Sequence, residues 1–367
     1  MDNIGIYFHI PFCDCKCAYC DFYSISNKNE YDYYTQKLIE KIEMYSKEYS
    51  RVVETIYFGG GTPSVLGTDR LCSILNAVKS NFDVTDDCEI TVEVNPCSAD
   101  KLDFSKMKSI GFNRLSIGMQ SAIDSELKLL SRRHTALKAR ETVLKARKSG
   151  FENISLDLML CVPGQTKNSL TESIKFCKDC DVEHISAYIL KIEEGTAFYK
   201  NKDNMQLFDE DEQASLYLHV VNELEKYGYY QYEISNFSKS GFEGKHNLKY
   251  WRDEEYIGIG PSAHSFIDGK RFYYDRSFEK FYNDEVVVDG IGGEIEEYIM
   301  LKLRLVEGLN LKTLVDKYHY FVDSDLMNRI KMLEKQGLIQ YKDCTVSLTK
   351  EGFLVSNSVI NYILDVI

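Results

Sequence analysis

Cys13, Cys17 and Cys20 stand in the spacing C-x3-C-x2-C within the run Tyr7-Phe8-His9-Ile10-Pro11-Phe12-Cys13-Asp14-Cys15-Lys16-Cys17-Ala18-Tyr19-Cys20-Asp21-Phe22. Thiolates are the ligands iron–sulfur clusters prefer, and one tight loop with this spacing can wrap three corners of a cubane. Three ligands for four irons leave one iron open, and that corner is where chemistry would occur. A structural zinc site needs a fourth ligand and more usually shows two C-x2-C pairs, so zinc and chance clustering stand as the alternatives. Removing Cys15 from consideration leaves the spacing intact, so it reads as a bystander thiol, with ligation as its alternative. Cys177-x-x-Cys180, at a predicted helix end, supplies only two of the four ligands a structural zinc requires.

Other polar residues fall where strands should end. Gly59-Gly60-Gly61-Thr62-Pro63-Ser64 follows an apolar run, and its glycines let the backbone approach a ligand and offer hydrogen-bonding groups to a charged end. Glu93 and Asn95 close a third apolar run, Gln120 follows a fourth, and Asp157 lies within a fifth.

Six short apolar, β-branched runs must position these groups: Ile4–Ile10, Val53–Phe58, Glu89–Val94, Arg114–Gly118, Ile154–Leu160 and His184–Leu190. Helical periodicity is clearest at Glu30–Glu48, Asp69–Ser80, Thr135–Ser149, Lys167–Lys178 and Asp209–Tyr227, the last opening on an acidic run that suits a helix N-terminus. Strand and helix alternating over about 190 residues imply βα units around a parallel sheet, in an α/β fold. Residues 1–228 are read as this core and 229–290, rich in Tyr, Gly and His, as an extension that covers or continues the sheet. Residues 291–367 read as a winged-helix-like domain: helices to Val306, at Leu311–Lys317 and Leu326–Gln336, then a hairpin over Leu338–Leu348.

The 367 residues suggest about two domains. With 44% apolar and 28% charged residues, the chain falls in the ordinary globular class. The net charge of −13 and the acidic residues of the C-terminal segment oppose a large phosphate-binding face, so nucleic acid is not an expected partner. No apolar stretch is long enough to span a bilayer and Met1-Asp2-Asn3 is not a basic leader, so the expectation is a cytoplasmic protein without an integral membrane segment. Eleven cysteines in such a chain are read as ligands, reactive thiols or small core residues rather than a disulfide framework.

The cysteine spacing resembles that of the radical S-adenosylmethionine (SAM) superfamily, in which the open iron is chelated by the amino and carboxylate groups of SAM. An electron from the reduced cluster then breaks the C5′–S bond to give a 5′-deoxyadenosyl radical. The runs HIPFC, GGGTPS, TVEVNP, NRLSIGMQS, LSRRH, DLMLCVPGQT, HISAYILKIEEGT, YEISNF, HNxxYW and GIGPSAHS resemble one branch of it. That branch contains the oxygen-independent coproporphyrinogen III dehydrogenases and their relatives, the HemW-type haem chaperones. The resemblance spans residues 4–266, with a weaker C-terminal match. It implies a partial (β/α)6 barrel, a [4Fe-4S] cluster on Cys13, Cys17 and Cys20, and SAM contacts from Tyr7, Gly60, Gly61, Thr62, Glu93, Gln120, Arg132 and Asp157, with Tyr19 on the adenine side.

The dehydrogenases resemble C-x3-C-x2-C-x-C and carry a long segment ahead of the cluster. Here the fourth cysteine position is Phe22, and twelve residues precede Cys13. The resemblance therefore implies a haem chaperone, with haem, a haem-acceptor protein and an electron donor as partners, and a coproporphyrinogen III dehydrogenase as the alternative. His246, in His246-Asn247-x-x-Tyr250-Trp251, is a candidate haem ligand, imidazole being a common axial ligand, with another residue such as His9 or His264 as the alternative. Cys161 stands where the family usually has glycine, which puts in doubt a left-handed backbone there.

Overall fold

The computed structural model describes residues 3–367. Met1 and Asp2, part of the leader argument, lie outside the described residues. Six parallel strands follow one another in space as in sequence: β1 (Asn3–Ile10), β2 (Val52–Gly60), β3 (Asp83–Val94), β4 (Arg114–Gln120), β5 (Asn153–Leu160) and β6 (His184–Ile189). Ile4, Ile6, Phe8 and Ile10 line one face of β1 and are fully buried, and on the opposite face Gly5 and His9 are buried as well, as expected of a strand covered on both sides.

Helices Tyr31–Glu48, Thr68–Asn81, Ala136–Lys148, Lys167–Asp179 and Glu210–Lys226 alternate with the strands, close to their expected bounds. Asp209 accepts from the Glu212 N–H at 2.8 Å and Glu212 reaches back to the Asp209 N–H at 3.0 Å, so the acidic run is a capping box. Two further helices, Phe104–Ile110 and Asp124–Leu129, escaped the periodicity reading because at seven and six residues they are too short to show a face.

The segment after Tyr227 continues the sheet. Strands β7 (Tyr230–Gln231) and β8 (Asn236–Ser238) extend it beyond β6, while β9 (Tyr256–Ile259) pairs parallel with β1 and is followed by β10 (His264–Ile267), β11 (Lys270–Tyr274) and β12 (Val286–Ile291). The sheet thus runs β12-β11-β10-β9-β1-β2-β3-β4-β5-β6-β8-β7, an open arc rather than a closed barrel.

Helices Ile295–Lys302, Leu311–Tyr318 and Ser324–Lys335 accompany a three-stranded wing in which β13 (Leu309–Asn310), between the first two helices, pairs with the hairpin β14 (Ile339–Lys342) and β15 (Thr345–Leu348). Two helices that the sequence reading did not include, Lys350–Leu354 and Ser356–Leu364, fold back from the wing. Lys350 bonds Glu225 at 2.6 Å, and one hydrophobic cluster runs from the core strands into the C-terminal helices. Among the described residues no helix is long and apolar enough to cross a membrane.

Candidate functional site

The C-terminal ends of β2 to β6, the cysteine loop and the C-terminal segment enclose a cavity of about 840 Å³. The mouth of a βα arc is where its strand ends converge on a ligand. All the expected cluster and SAM residues border it except Tyr7.

The loop begins where β1 ends. Its base is pinched by a bridge between Phe12 and Ile25, with Cys13 N–H donating to the Ile25 carbonyl at 3.0 Å and Ile25 N–H to that of Pro11 at 2.8 Å. Within this closed loop Cys13, Cys17 and Cys20 are half-buried and border the cavity. Cys13 Sγ lies 3.1 Å from Thr62 Oγ1, and Arg132 donates from Nη1 to Cys17 Sγ at 3.5 Å. Cys15 is exposed, and its Sγ lies 3.9 Å from the Lys16 carbonyl oxygen, a weak contact.

Among the described residues no three His, Cys, Asp or Glu side chains converge on the position of a single metal ion. A cubane presents its irons to three separate thiolates, and the Arg132 guanidinium beside Cys17 offsets thiolate charge. Cys177 is buried inside helix Lys167–Asp179 and Cys180 caps it.

The glycine run packs the loop base against the sheet. Gly60 has φ +106, and a Cβ there would come within 2.7 Å of the His9 ring; at Gly61 a Cβ would lie 2.8 Å from the Phe12 carbonyl oxygen. Any larger residue would push the cluster loop off β2.

Across the arc, Glu93 of β3 and Asp157 of β5 face the cavity while protein encloses them. Burial, reinforced by Asp157, raises Glu93 to about 8, against the Tyr57 hydroxyl that donates to it at 2.9 Å. Burial raises Asp157 to about 6, opposed by hydroxyl bonds from Ser116 (3.0 Å) and Ser186. A cationic ligand beside the two carboxyls would favour their ionised forms. Gln120 is held at φ +73, where β4 loses register with β5, and its Oε1 is buried without a partner. Arg132 donates from Nη2 to the Gly118 carbonyl at 2.6 Å, and its Nε is likewise unpartnered. Buried polar groups left unpaired are costly, so these atoms fit a polar ligand that completes them. The donor set of carboxyls, amide and guanidinium suits the ammonium, carboxylate and hydroxyl groups of SAM.

The Radical SAM superfamily profile matches residues 7–177, and the HemN C-terminal domain profile matches residues 294–355. The chain is 38% identical to the heme chaperone HemW of Bacillus subtilis, covering 96% of this chain and 97% of that protein. It is 34% identical to HemW of Lactococcus lactis over 98% of this chain and 97% of the relative. The structure of the Escherichia coli coproporphyrinogen III oxidase HemN, a radical SAM enzyme, superposes with a TM-score of 0.83 at 19% identity, over 99% of this chain and 90% of that one. The chain belongs to the HemW-type branch of the radical SAM superfamily.

For a member of this branch, Phe22 stands at the rim of the cavity, 65% exposed, where the dehydrogenase pattern has its extra cysteine. Cys161 does occupy a left-handed backbone position, φ +62, so the position that suits glycine is filled by cysteine at a cost in strain. Tyr7 is set behind the cavity wall: it stacks on Tyr57 and His246, and its hydroxyl bonds His9 Nδ1 at 3.2 Å.

His246 departs most from expectation. It is 1% exposed and does not border the cavity. Its Nδ1 bonds Thr55 Oγ1 at 2.8 Å and its Nε2 bonds the Tyr250 hydroxyl at 2.7 Å, so neither nitrogen is free for an iron. Burial, aided by Lys249 and Arg114, lowers its pKa to about 3, which keeps the ring neutral. Glu89 accepts from the Lys245 and His246 N–H groups, each at 3.0 Å, anchoring helix Lys245–Trp251 to β3. Asn247 and Trp251, four residues apart, face the cavity instead. No histidine borders it among the described residues.

Residues missed by sequence reasoning include Tyr57, Arg114, Ser116 and Ser186. Each is a polar group inside an apolar strand run, and that signal was available. Arg114 is 2% exposed, lies in the charge field of Glu89 and Tyr232, and has its Nε buried without a hydrogen-bond partner.

Proposed function

We propose that this chain is a haem carrier that holds a [4Fe-4S] cluster on Cys13, Cys17 and Cys20, binds SAM, and passes haem to an acceptor protein. The observation that carries the reading is the likeness, over nearly the full length, to proteins named heme chaperone, together with Phe22 in place of the dehydrogenases' extra cysteine. When bound together, cluster and SAM supply one-electron cleavage of a carbon–sulfur bond, with electrons from a separate donor. The chain's own residues orient SAM: Glu93, Asp157 and Gln120 offer acceptors, Arg132 offers donors, and Gly60 to Thr62 hold the loop base in place. Tyr19 packs beside Phe198 at 6.4 Å between ring centres and closes the adenine side. In this reading residues 1–228 form the radical SAM core, 229–290 its extension and 291–367 the winged-helix-like C-terminal domain, and the protein works in the cytoplasm.

Anaerobic incubation of reconstituted protein with coproporphyrinogen III, reductant and SAM is expected to give no vinyl product. Haem loaded onto the same preparation should move to an acceptor. Turnover to the divinyl product would establish the dehydrogenase reading instead.

A further inference from the structure

The cavity extends past the SAM-facing residues to a second wall. There Phe353, Leu354 and Asn357, from the two terminal helices and their junction, meet Trp251 and Arg304. Arg304 follows helix Ile295–Lys302, donates from Nη2 to Asn357 Oδ1 at 2.9 Å, and carries its guanidinium 5.8 Å from the centre of the Trp251 ring.

Three other arginines border the cavity: Arg276 pairs with Asp21 at 3.0 Å, Arg132 bonds Cys17 and the Gly118 carbonyl at the SAM-facing end, and Arg114 is buried deep in the arc within the charge field of Glu89. Arg304, half-buried, makes no salt bridge among the described residues. The acid behind Trp251 is Glu233, whose carboxyl accepts from the Ser235 N–H at 3.2 Å and lies beyond ion-pair distance of Arg304. Burial raises Glu233 to about 7, so near neutral pH it is a weak counter-charge. A half-buried guanidinium with one neutral partner has donors to spare, and a carboxylate is the group its planar fork fits. Phe353 and Leu354 make the adjoining wall apolar.

We infer that Arg304, positioned by Asn357 and Trp251, is the receptor for a propionate carboxylate of the tetrapyrrole cargo, whose ring lies against Phe353 and Leu354. The inference rests on the haem-carrier reading and adds to it which end of the cavity takes the cargo, and by what chemistry. Because Asn357 belongs to the last helix and Arg304 to the segment after the first C-terminal helix, the C-terminal domain becomes part of the binding site.

The test is an equilibrium titration of the cluster-reconstituted full chain with haem and with haem dimethyl ester, whose propionates carry no charge. The native chain should prefer haem by about 10- to 100-fold, the range of charge-assisted bidentate pairing. Arg304→Gln should bind the ester as the native chain does and lose most of the preference, while Arg304→Lys should restore part of it. Unchanged cluster absorbance and SAM affinity in the variants would show that the fold is intact. Failure of the native chain to bind haem at all would overturn the carrier reading itself. Haem binding with no preference over the ester, or a preference that survives in Arg304→Gln, would overturn the role of Arg304 and leave the carrier reading standing.

Discussion

The cysteine loop and helix Lys245–Trp251 each carry a short polar motif, and the structure treats them in opposite ways. In the loop, the residues singled out by spacing face the cavity, because a segment pinched between Phe12 and Ile25 has nowhere to bury three thiols. In the helix, His246 and Tyr250 turn inward to Thr55 and Tyr256, and the less conspicuous Asn247 and Trp251 reach the cavity. A loop motif exposes its reactive atoms by default, whereas a helix motif divides its residues between two faces, and only packing decides which face meets a ligand.

The largest effect should come from the loop. Cys13→Ser, Cys17→Ser and Cys20→Ser should each abolish the broad iron–sulfur absorbance after reconstitution, while Cys15→Ser keeps it. Equal loss in the Cys15 variant would mean that four thiols, not three, share the cluster.

Next, on the helix side, His246→Ala strips partners from Thr55 and Tyr250 in a buried site and should cost about 2–4 kcal/mol of stability. Denaturant unfolding would measure it, and a change below about 0.5 kcal/mol would show that the network does not hold the helix.

Between these regions lies the carboxyl pair. Glu93, raised to about 8, is mostly protonated at pH 7, and a cationic ligand favours its charged form. SAM binding below pH 8 should therefore release a proton, so affinity rises between pH 6 and 8, by at most about tenfold per unit, and levels off above. Glu93→Gln should weaken that slope; an unaltered slope would remove Glu93 from the contact. The smallest effect is expected at Cys161, where glycine relieves a left-handed backbone: Cys161→Gly should gain about 1 kcal/mol in thermal unfolding, and a loss would mean that the thiol's packing outweighs its strain.

The six core strands could be read from the sequence because burial on both faces forces unbroken apolar runs. The same cause hid Ser116, Ser186 and Arg114, which look like blemishes in those runs until the register sets Asp157 beside Ser186 and Ser116 bonds it. The terminal helices closing the second cavity wall were missed, although Val355, Val359, Ile360 and Ile363 carry a helical period that the reading, halted at the hairpin, did not follow. His246 could not be assigned at all from sequence, since a helix of seven residues, about two turns, is too short for a period to mark its buried side.

The most direct test of the account is the haem spectrum of a His246→Gln variant, which can still hydrogen-bond Thr55 or Tyr250. If the cargo sits on the Asn247 and Trp251 face, the variant, once shown to be folded by its cluster spectrum, should bind haem with the Soret position and intensity of the native chain. A Soret band shifted to that of free or weakly ligated haem, with the cluster spectrum unchanged, would show that His246 leaves its buried bonds to ligate the iron and would contradict the account.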